Sequence, residues 1–184
     1  MTDTSATTDT SAPPSWSVRA DRFVAAPAEV VWSVITDLEG MGQHLPTILK
    51  LERLSDDAPG TYQVGTRWRE TRRMFGQEAT EEMEVVGLEE ARRTDILAIN
   101  HGTRYETGFQ LEPAGNGATP AGVTLSFHFA ARPEGPQPGG LSGTLQRGLT
   151  RVMGPVGAAL TRRQMAKELE LIAHRAEHLA AGGA

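Results

Sequence analysis

Residues 65–86 read GTRWRETRRMFGQEATEEMEVV. This stretch predicts two β-strands, Gly65–Met74 and Gln77–Val86, that form a hairpin around Phe75 and Gly76. If the loop has two or four residues, three pairs of opposite charge face each other on one side of the hairpin. The pairs are Arg67 with Glu84, Arg69 with Glu82, and Arg73 with Glu78. A three-residue loop would break this pairing, so the charge pattern selects the register and predicts that this face is exposed to solvent.

The opposite face of the hairpin carries the first candidate site. It is predicted to point inward and is apolar where Trp68 faces Met83, but ionisable where Glu70 faces Glu81. Side chains directly opposite each other start about 5 Å apart, so two carboxylates there repel. One of them takes up a proton near neutral pH unless a cation lies between them, and Arg72 is the expected cation.

The cluster of Glu70, Arg72 and Glu81 has two functional interpretations and one structural interpretation. It is a candidate anchor for a hydroxyl, carbonyl or carboxylate group of an otherwise apolar ligand. It is also a candidate general acid or base for enolisation and dehydration. The structural alternative is an ion pair that only balances local charge, since such pairs also produce unusual carboxylates.

The rest of the chain predicts further strands and two helical regions. A strand begins at Trp16, and a helix follows from Pro27, which suits a first helical position. The segment Thr47–Leu54 is predicted to be a strand, with a helix start at residues 48–51 as the alternative. Antiparallel strands are predicted at Thr94–Asn100, Thr103–Leu111 and Val123–Ala131, the first two joined at His101 and Gly102. A long amphipathic helix is predicted from Leu141 to Leu179, kinked by Pro155 and ended by Gly182.

Composition limits the class of protein. The chain has 184 residues, which suits one domain, and we expect a domain over residues 16–181 after a disordered tail at residues 1–15. It has no cysteine, which excludes disulfide and cysteine-nucleophile chemistry. Its net charge of -5 argues against nucleic-acid binding. No apolar run reaches the length of a membrane span and no secretion signal precedes the domain, so we expect a cytoplasmic protein without stable membrane insertion. The oligomeric state is unknown.

Three segments carry a family resemblance. They are FVAAPAEVVWSVITDLEG at residues 23–40, the hairpin quoted above, and the long kinked helix. Together they resemble the START-like superfamily, also called SRPBCC, which includes polyketide cyclase or dehydrase-like proteins, lipid-transfer domains and the birch-pollen-allergen fold. The resemblance implies an α+β helix-grip fold. In such a fold a curved antiparallel sheet of about six or seven strands wraps around a long C-terminal helix, and one or two short helices follow the first strand.

The resemblance also implies a hydrophobic cavity between the sheet and the helix. Inward residues of the third and fourth strands usually face it, and here they are Trp68, Glu70, Arg72, Glu81 and Met83. The superfamily shares no catalytic signature, so no catalytic residue is implied. Fold alone does not determine function.

The later strands add candidate ligand-binding residues. Tyr105, Phe109 and Phe127 are expected to complete the cavity wall, although an aromatic stripe is often plain core. A buried tyrosine hydroxyl needs a hydrogen-bond partner, and Asn100 is expected to lie near Tyr105 across the hairpin.

Among the histidines, only His44 is retained as a candidate, because its loop lies near the pocket entrance in this superfamily. His128 alternates with apolar neighbours and is expected to face solvent. Residues 174–178 match the HxxEH zinc-protease motif, but only six residues follow His178 and no third protein ligand is evident. No metal and no other cofactor is predicted. The chain also lacks GxSxG, GxxxxGK and GxGxxG motifs.

Three functions remain open from the sequence. The favoured one is binding or carriage of a hydrophobic or amphipathic small molecule, such as a lipid, an isoprenoid or a polyketide-like compound. The second is a polyketide cyclase or aromatase-like enzyme in which Glu70, Arg72 or Glu81 assists proton transfer. The third is a protein-interaction module whose cavity is filled by its own side chains. Binding is favoured over catalysis because no convincing constellation of His, Asp and Ser is present.

Overall fold

A computed structural model describes residues 16–74, 76–100, 102–114, 121–133 and 155–183. Within these residues the chain forms seven strands and three helices. In chain order they are β1 (Trp16–Val24), α1 (Ala28–Thr36), α2 (Met41–His44), β2 (Ile48–Arg53), β3 (Arg67–Met74), β4 (Gln77–Glu89), β5 (Arg93–Asn100), β6 (Thr103–Pro113), β7 (Val123–Pro133) and α3 (Pro155–Ala180). The segment following α2 is therefore a strand, as predicted, and not the start of a helix.

All seven strands form one antiparallel sheet in the order β1-β7-β6-β5-β4-β3-β2. From β2 to β7 each strand pairs with its neighbour in sequence, and β1 completes the sheet by pairing with β7. The long helix α3 packs against β1 and against α1. A single sheet cannot bury its inner face alone, and α3 supplies the second layer. The predicted α+β helix-grip fold is confirmed.

The core lies between the inner face of the sheet and the helices. Helix α3 contributes one buried face, whose residues recur at spacings of three and four, namely Met165, Leu169, Ile172, Ala173 and Ala176. Helix α1 adds Val31, Val34 and Ile35. A second buried cluster contains Leu38, Trp68, Val85 and Ile96, and Met41 and Leu51 pack against both clusters.

The central hairpin has the register that its charges predict. Met74 pairs with Gln77, so the loop has two residues, and Gly76 takes a positive φ of 80° that favours glycine. Arg69 forms an ion pair with Glu82 at 2.7 Å on the outer face. One detail differs from the prediction. Arg67 forms a diagonal contact with Glu82 at 3.5 Å, although Glu84 is its partner in the register.

The outer face of β7 is less exposed than its alternating pattern predicts. Ser126 is buried, and its hydroxyl donates a hydrogen bond to Asp21 at 2.6 Å and accepts one from Arg19 at 2.7 Å. His128 is half-buried because its ring lies over Gly108, which has no side chain to displace it. His128 therefore faces solvent in part, with 38% of its side chain exposed, whereas Ser126 on the same face is covered by its polar partners on β1.

Several predictions lie outside the described residues. They are the tail at residues 1–15, the turn residues Phe75 and His101, and the helix segment at residues 141–154. The described helix begins at Pro155, so the predicted kink lies at the boundary of the described residues.

Candidate functional site

A cavity of about 110 Å³ lies between the inner face of the sheet and the three helices. Its wall is mostly apolar. The apolar residues that line it include Val34, Ile35, Leu38, Met41, Leu45, Trp68, Met83, Ile96, Ala98, Phe109, Phe127, Phe129, Met165 and Ile172. The rings of Phe109 and Phe127 stack with their centroids 4.6 Å apart. This arrangement provides a hydrophobic space enclosed by residues that are far apart in the sequence.

The structure brings all but one of the predicted site residues to this cavity. Those that line it are Trp68, Glu70, Arg72, Glu81, Met83, Tyr105, Phe109 and Phe127, and His44 lines it too. The exception is Asn100, which lies at the end of β5. That these residues bind a ligand remains a prediction.

Asn100 has a different partner from the one predicted. In the pairing of β5 with β6, Asn100 is opposite Thr103, whereas Tyr105 is opposite Ala98. Asn100 instead forms a hydrogen bond with Glu81, and Tyr105 forms one with Thr103. The amide of Asn100 therefore acts on the site through Glu81.

The ionisable part of the wall is centred on Arg72. Its Nε donates to Glu70 Oε1, and its Nη1 lies 3.1 Å from Glu168 Oε2 and 3.2 Å from Oε1. The Glu70 and Glu168 side chains are only 3% and 5% exposed. Glu70 also accepts a hydrogen bond from the Trp68 indole at 3.4 Å, and Glu168 accepts one from the Thr47 hydroxyl at 3.3 Å. Arg72 thus joins two buried carboxylates, one on β3 and one on α3.

This geometry corrects the predicted role of Arg72. The sequence placed its guanidinium between Glu70 and Glu81, but the structure places it between Glu70 and Glu168. Burial lowers the pKa of Arg72, but the charges of Glu168 and Glu70 more than offset that effect, so its pKa is raised. Arg72 therefore stays positively charged at any physiological pH.

Glu81 stands apart from that ion-pair network. Burial raises the pKa of Glu81, and although the hydrogen bond from Asn100 lowers it, the nearby charge of Glu70 adds to the rise. Arg72 gives only a smaller opposing effect. Burial, together with the charge of Glu81, also raises the pKa of Tyr105. Glu81 is therefore a cavity-facing carboxyl group that takes up a proton more readily than an exposed glutamate does.

Glu168, the carboxylate on the helix, also lines the cavity and was not among the predicted site residues. Its position carried a signal, because Glu168 is three residues after Met165 and four before Ile172, both on the buried face of α3. A charge within an apolar stripe requires a partner. The other missed polar residues of the wall are Tyr62, Thr107, Thr161 and Gln164. Tyr62 lies in the segment between β2 and β3, and its hydroxyl hydrogen-bonds Thr94 at 2.8 Å.

The histidines and the glutamate of the HxxEH motif do not line the cavity. His174 and His178 are exposed on α3, and Glu177 between them accepts a hydrogen bond from the Ala25 backbone amide at 2.9 Å. Glu177 therefore connects α3 to the segment before α1. In the described parts of the chain, no cluster of three or more acidic or histidine side chains is arranged to hold a metal ion.

Comparison with known proteins identifies the family. A family model described as polyketide cyclase / dehydrase and lipid transport matches residues 15–177. The chain belongs to this family. The match spans the whole sheet and nearly all of α3, and the START-like resemblance predicted from the sequence is confirmed.

Solved structures share the fold of this polyketide cyclase / dehydrase and lipid transport family member. The Zhui aromatase/cyclase from Streptomyces sp. R1128 has a TM-score of 0.65 at 22% identity, covering 91% of this chain and 98% of its own. The protein TTHA0849 from Thermus thermophilus has a TM-score of 0.60 at 23% identity, with 91% and 99% covered. A START superfamily protein from Mycobacterium smegmatis has a TM-score of 0.56 at 20% identity, with 91% and 98% covered. At these identities the likeness concerns the fold alone.

Among curated proteins, none matches the sequence. Of the helices in the described residues, none combines the length and apolar character that crossing a membrane requires.

Proposed function

We propose that the protein binds a hydrophobic or amphipathic small molecule in its internal cavity. The observation that carries this proposal is the composition of the wall, which is apolar on most sides and charged at the Glu70–Arg72–Glu168 network. Ligand pockets are typically apolar with a few convergent polar groups that orient the ligand. Membership of a family described by cyclase, dehydrase and lipid-transport functions supports the same conclusion.

The size of the cavity restricts the ligand. Its volume is about 110 Å³, whereas pockets that enclose drug-sized ligands measure roughly 300–1,000 Å³. The cavity therefore suits a small molecule or one end of a longer molecule. A larger ligand requires wall side chains or α3 to move. The presence of this cavity also favours a ligand-binding protein over an interaction module whose interior is filled by its own side chains.

A cyclase-like enzyme is the second candidate, and Glu81 is the observation that favours it. A general acid or base works best when its pKa lies near the operating pH, and burial raises the pKa of Glu81 beside the cavity. The hydroxyl of Tyr105 is close enough for the charge of Glu81 to affect it. Proton transfer to or from a carbonyl substrate would use this pair.

Binding is tested by native mass spectrometry of the purified protein, followed by denaturing extraction of any retained molecule. A bound mass of a few hundred daltons or less supports the proposal. The variant Ala98→Leu places a larger side chain into the cavity wall and should release the molecule. Ala130→Leu is the matched control, because Ala130 lies on the outer face of β7 and does not line the cavity.

The outcomes separate the candidates. Retention that is lost in Ala98→Leu and kept in Ala130→Leu supports a cavity ligand. No retained molecule, and no uptake from lipid and polyketide mixtures, contradicts binding and leaves the interaction module. If the protein also converts a poly-carbonyl substrate, Glu81→Gln should abolish turnover while binding persists, whereas Glu84→Gln on the outer face should change neither.

A further inference from the structure

The charges around the cavity are not balanced. Of the described residues that line it, Arg72 alone carries a permanent positive charge. Three carboxyl groups share the same wall, namely Glu70, Glu81 and Glu168. The ionisable wall therefore has an excess of negative charge, even when Glu81 holds a proton.

This one cation of the described lining residues already pairs with two carboxylates. The Nε of Arg72 donates to Glu70 and its Nη1 donates to Glu168, so both carboxylates compete with any anion for the guanidinium. Two more donors are directed at these carboxylates, since the Trp68 indole donates to Glu70 and the Thr47 hydroxyl, which does not line the cavity, donates to Glu168. A ligand carboxylate would meet two buried anions and a cation that they have neutralised.

Hydrogen-bond acceptors, in contrast, are abundant. Each carboxylate has about four lone-pair sites, and Glu81 receives one described hydrogen bond, from Asn100. The remaining lone pairs can accept hydrogen bonds from a ligand. Thr107 and Gln164, which also line the cavity, both donate and accept, so they do not alter this preference.

We propose that the cavity selects ligands whose polar end donates hydrogen bonds, protonated amines above all and hydroxyl groups next, and that it rejects carboxylates. This inference rests on the proposed function, since the apolar cavity is the reason to expect a ligand and the carboxylates decide the chemistry of its polar end. Like charges brought together at an interface repel each other, and this repulsion excludes the wrong partner.

Three probes of equal chain length test this selectivity, namely hexylamine, hexan-1-ol and hexanoate. Their affinities are measured at about pH 7.5 by ligand-observed NMR, where the amine is protonated and the acid is ionised. The expected order is amine, then alcohol, then carboxylate, with at least about tenfold between the first and the last. Because the whole protein is acidic, Ala98→Leu serves to identify binding outside the cavity, and it should abolish the preference.

Two isosteric variants locate the selectivity. Glu81→Gln should reduce the preference for hexylamine, while Glu84→Gln, the same change on the opposite face of β4, should leave it unchanged. Glu168→Gln removes one of the two counter-charges of Arg72 and should shift the preference toward hexanoate. Circular dichroism establishes that each variant is folded, and Glu81→Gln leaves the ion pairs of Arg72 intact.

The results distinguish this inference from the proposed function. If none of the three probes binds, the proposed function fails together with the inference. If all three bind equally, or hexanoate binds best, the inference is wrong and the proposed function stands. If hexylamine binds best and neither Glu81→Gln nor Glu168→Gln changes its advantage, the charged wall is not its cause and the inference is overturned.

Discussion

Replacing Arg72 by methionine should strongly destabilise the protein. Methionine keeps much of the apolar volume of the arginine but removes the only cation that faces Glu70 and Glu168 within the described residues. Both carboxylates are almost completely buried. Removal of one partner from a buried ion pair leaves an uncompensated charge away from water, which costs far more than the pair itself contributes.

The magnitude follows from the geometry. At 3.1 Å from Glu168, and with an effective dielectric constant near 20, one such attraction is about 5 kcal/mol before desolvation is subtracted. After desolvation, breaking a buried pair typically costs about 3–5 kcal/mol. For a domain of this size, that corresponds to a fall of roughly 6–20 °C in the melting temperature. Arg69→Met is the matched control, because Arg69 is on the same strand but exposed, and it should have little effect.

Urea unfolding, followed by tryptophan fluorescence and by circular dichroism, measures these free energies. A triple variant with Glu70→Leu, Arg72→Met and Glu168→Leu should recover most of the lost stability, because apolar residues often replace a whole buried ion network without loss. The reasoning is refuted if Arg72→Met is no more destabilising than Arg69→Met. It is also refuted if the triple variant is less stable than Arg72→Met alone, since uncompensated charge would then not be the cause.

Three other changes have defined outcomes. Burial and the charge of Glu70 raise the pKa of Glu81, so its ionised form is less favourable in the folded than in the unfolded protein. The Glu81→Gln variant should therefore be more stable than the wild type at about pH 8. This advantage should vanish toward about pH 4, where Glu81 is mostly protonated in both states. Urea midpoints that differ equally at both pH values would contradict this reasoning. Gly108→Ala should cost about 1–3 kcal/mol in thermal unfolding, because a Cβ there collides with the backbone carbonyl of Thr94. Tyr62→Phe removes a 2.8 Å hydrogen bond to the buried Thr94 hydroxyl and should cost about 1 kcal/mol in urea unfolding, whereas an unchanged midpoint would show that the bond is not formed.

The central hairpin could be predicted because its information is local. On the outer face β3 carries arginines and β4 carries glutamates, and the two strands are joined by two residues, so a slip of one residue would break the pairing of opposite charges. The same register placed Trp68, Glu70, Glu81 and Met83 on the inner face, where the structure has them lining the cavity. Pairing between neighbouring strands thus determined much of the candidate site.

The partner of Asn100 could not be predicted from the alternating pattern of its own strand. Its partnership with Glu81 depends on the pairing of β4 with β5, and that pairing shifts between Val85 and Gly87. An irregularity of this kind changes which residues are opposite one another, and no alternating pattern reveals it. Asn100 was therefore predicted beside Tyr105, its near neighbour in sequence, although its partner is on the preceding strand.

Glu168 was missed for a different reason, since each element was interpreted by itself. The apolar stripe of α3 predicts that Met165, Leu169 and Ile172 are buried, and Glu168 lies within that stripe. A buried carboxylate needs a cation, and Arg72 was the one arginine already predicted to point inward from the hairpin. Matching the charges of the two inner faces would have paired residues that are 96 positions apart. It would also have changed the expected ligand, because two carboxylates of the chain already pair with that cation.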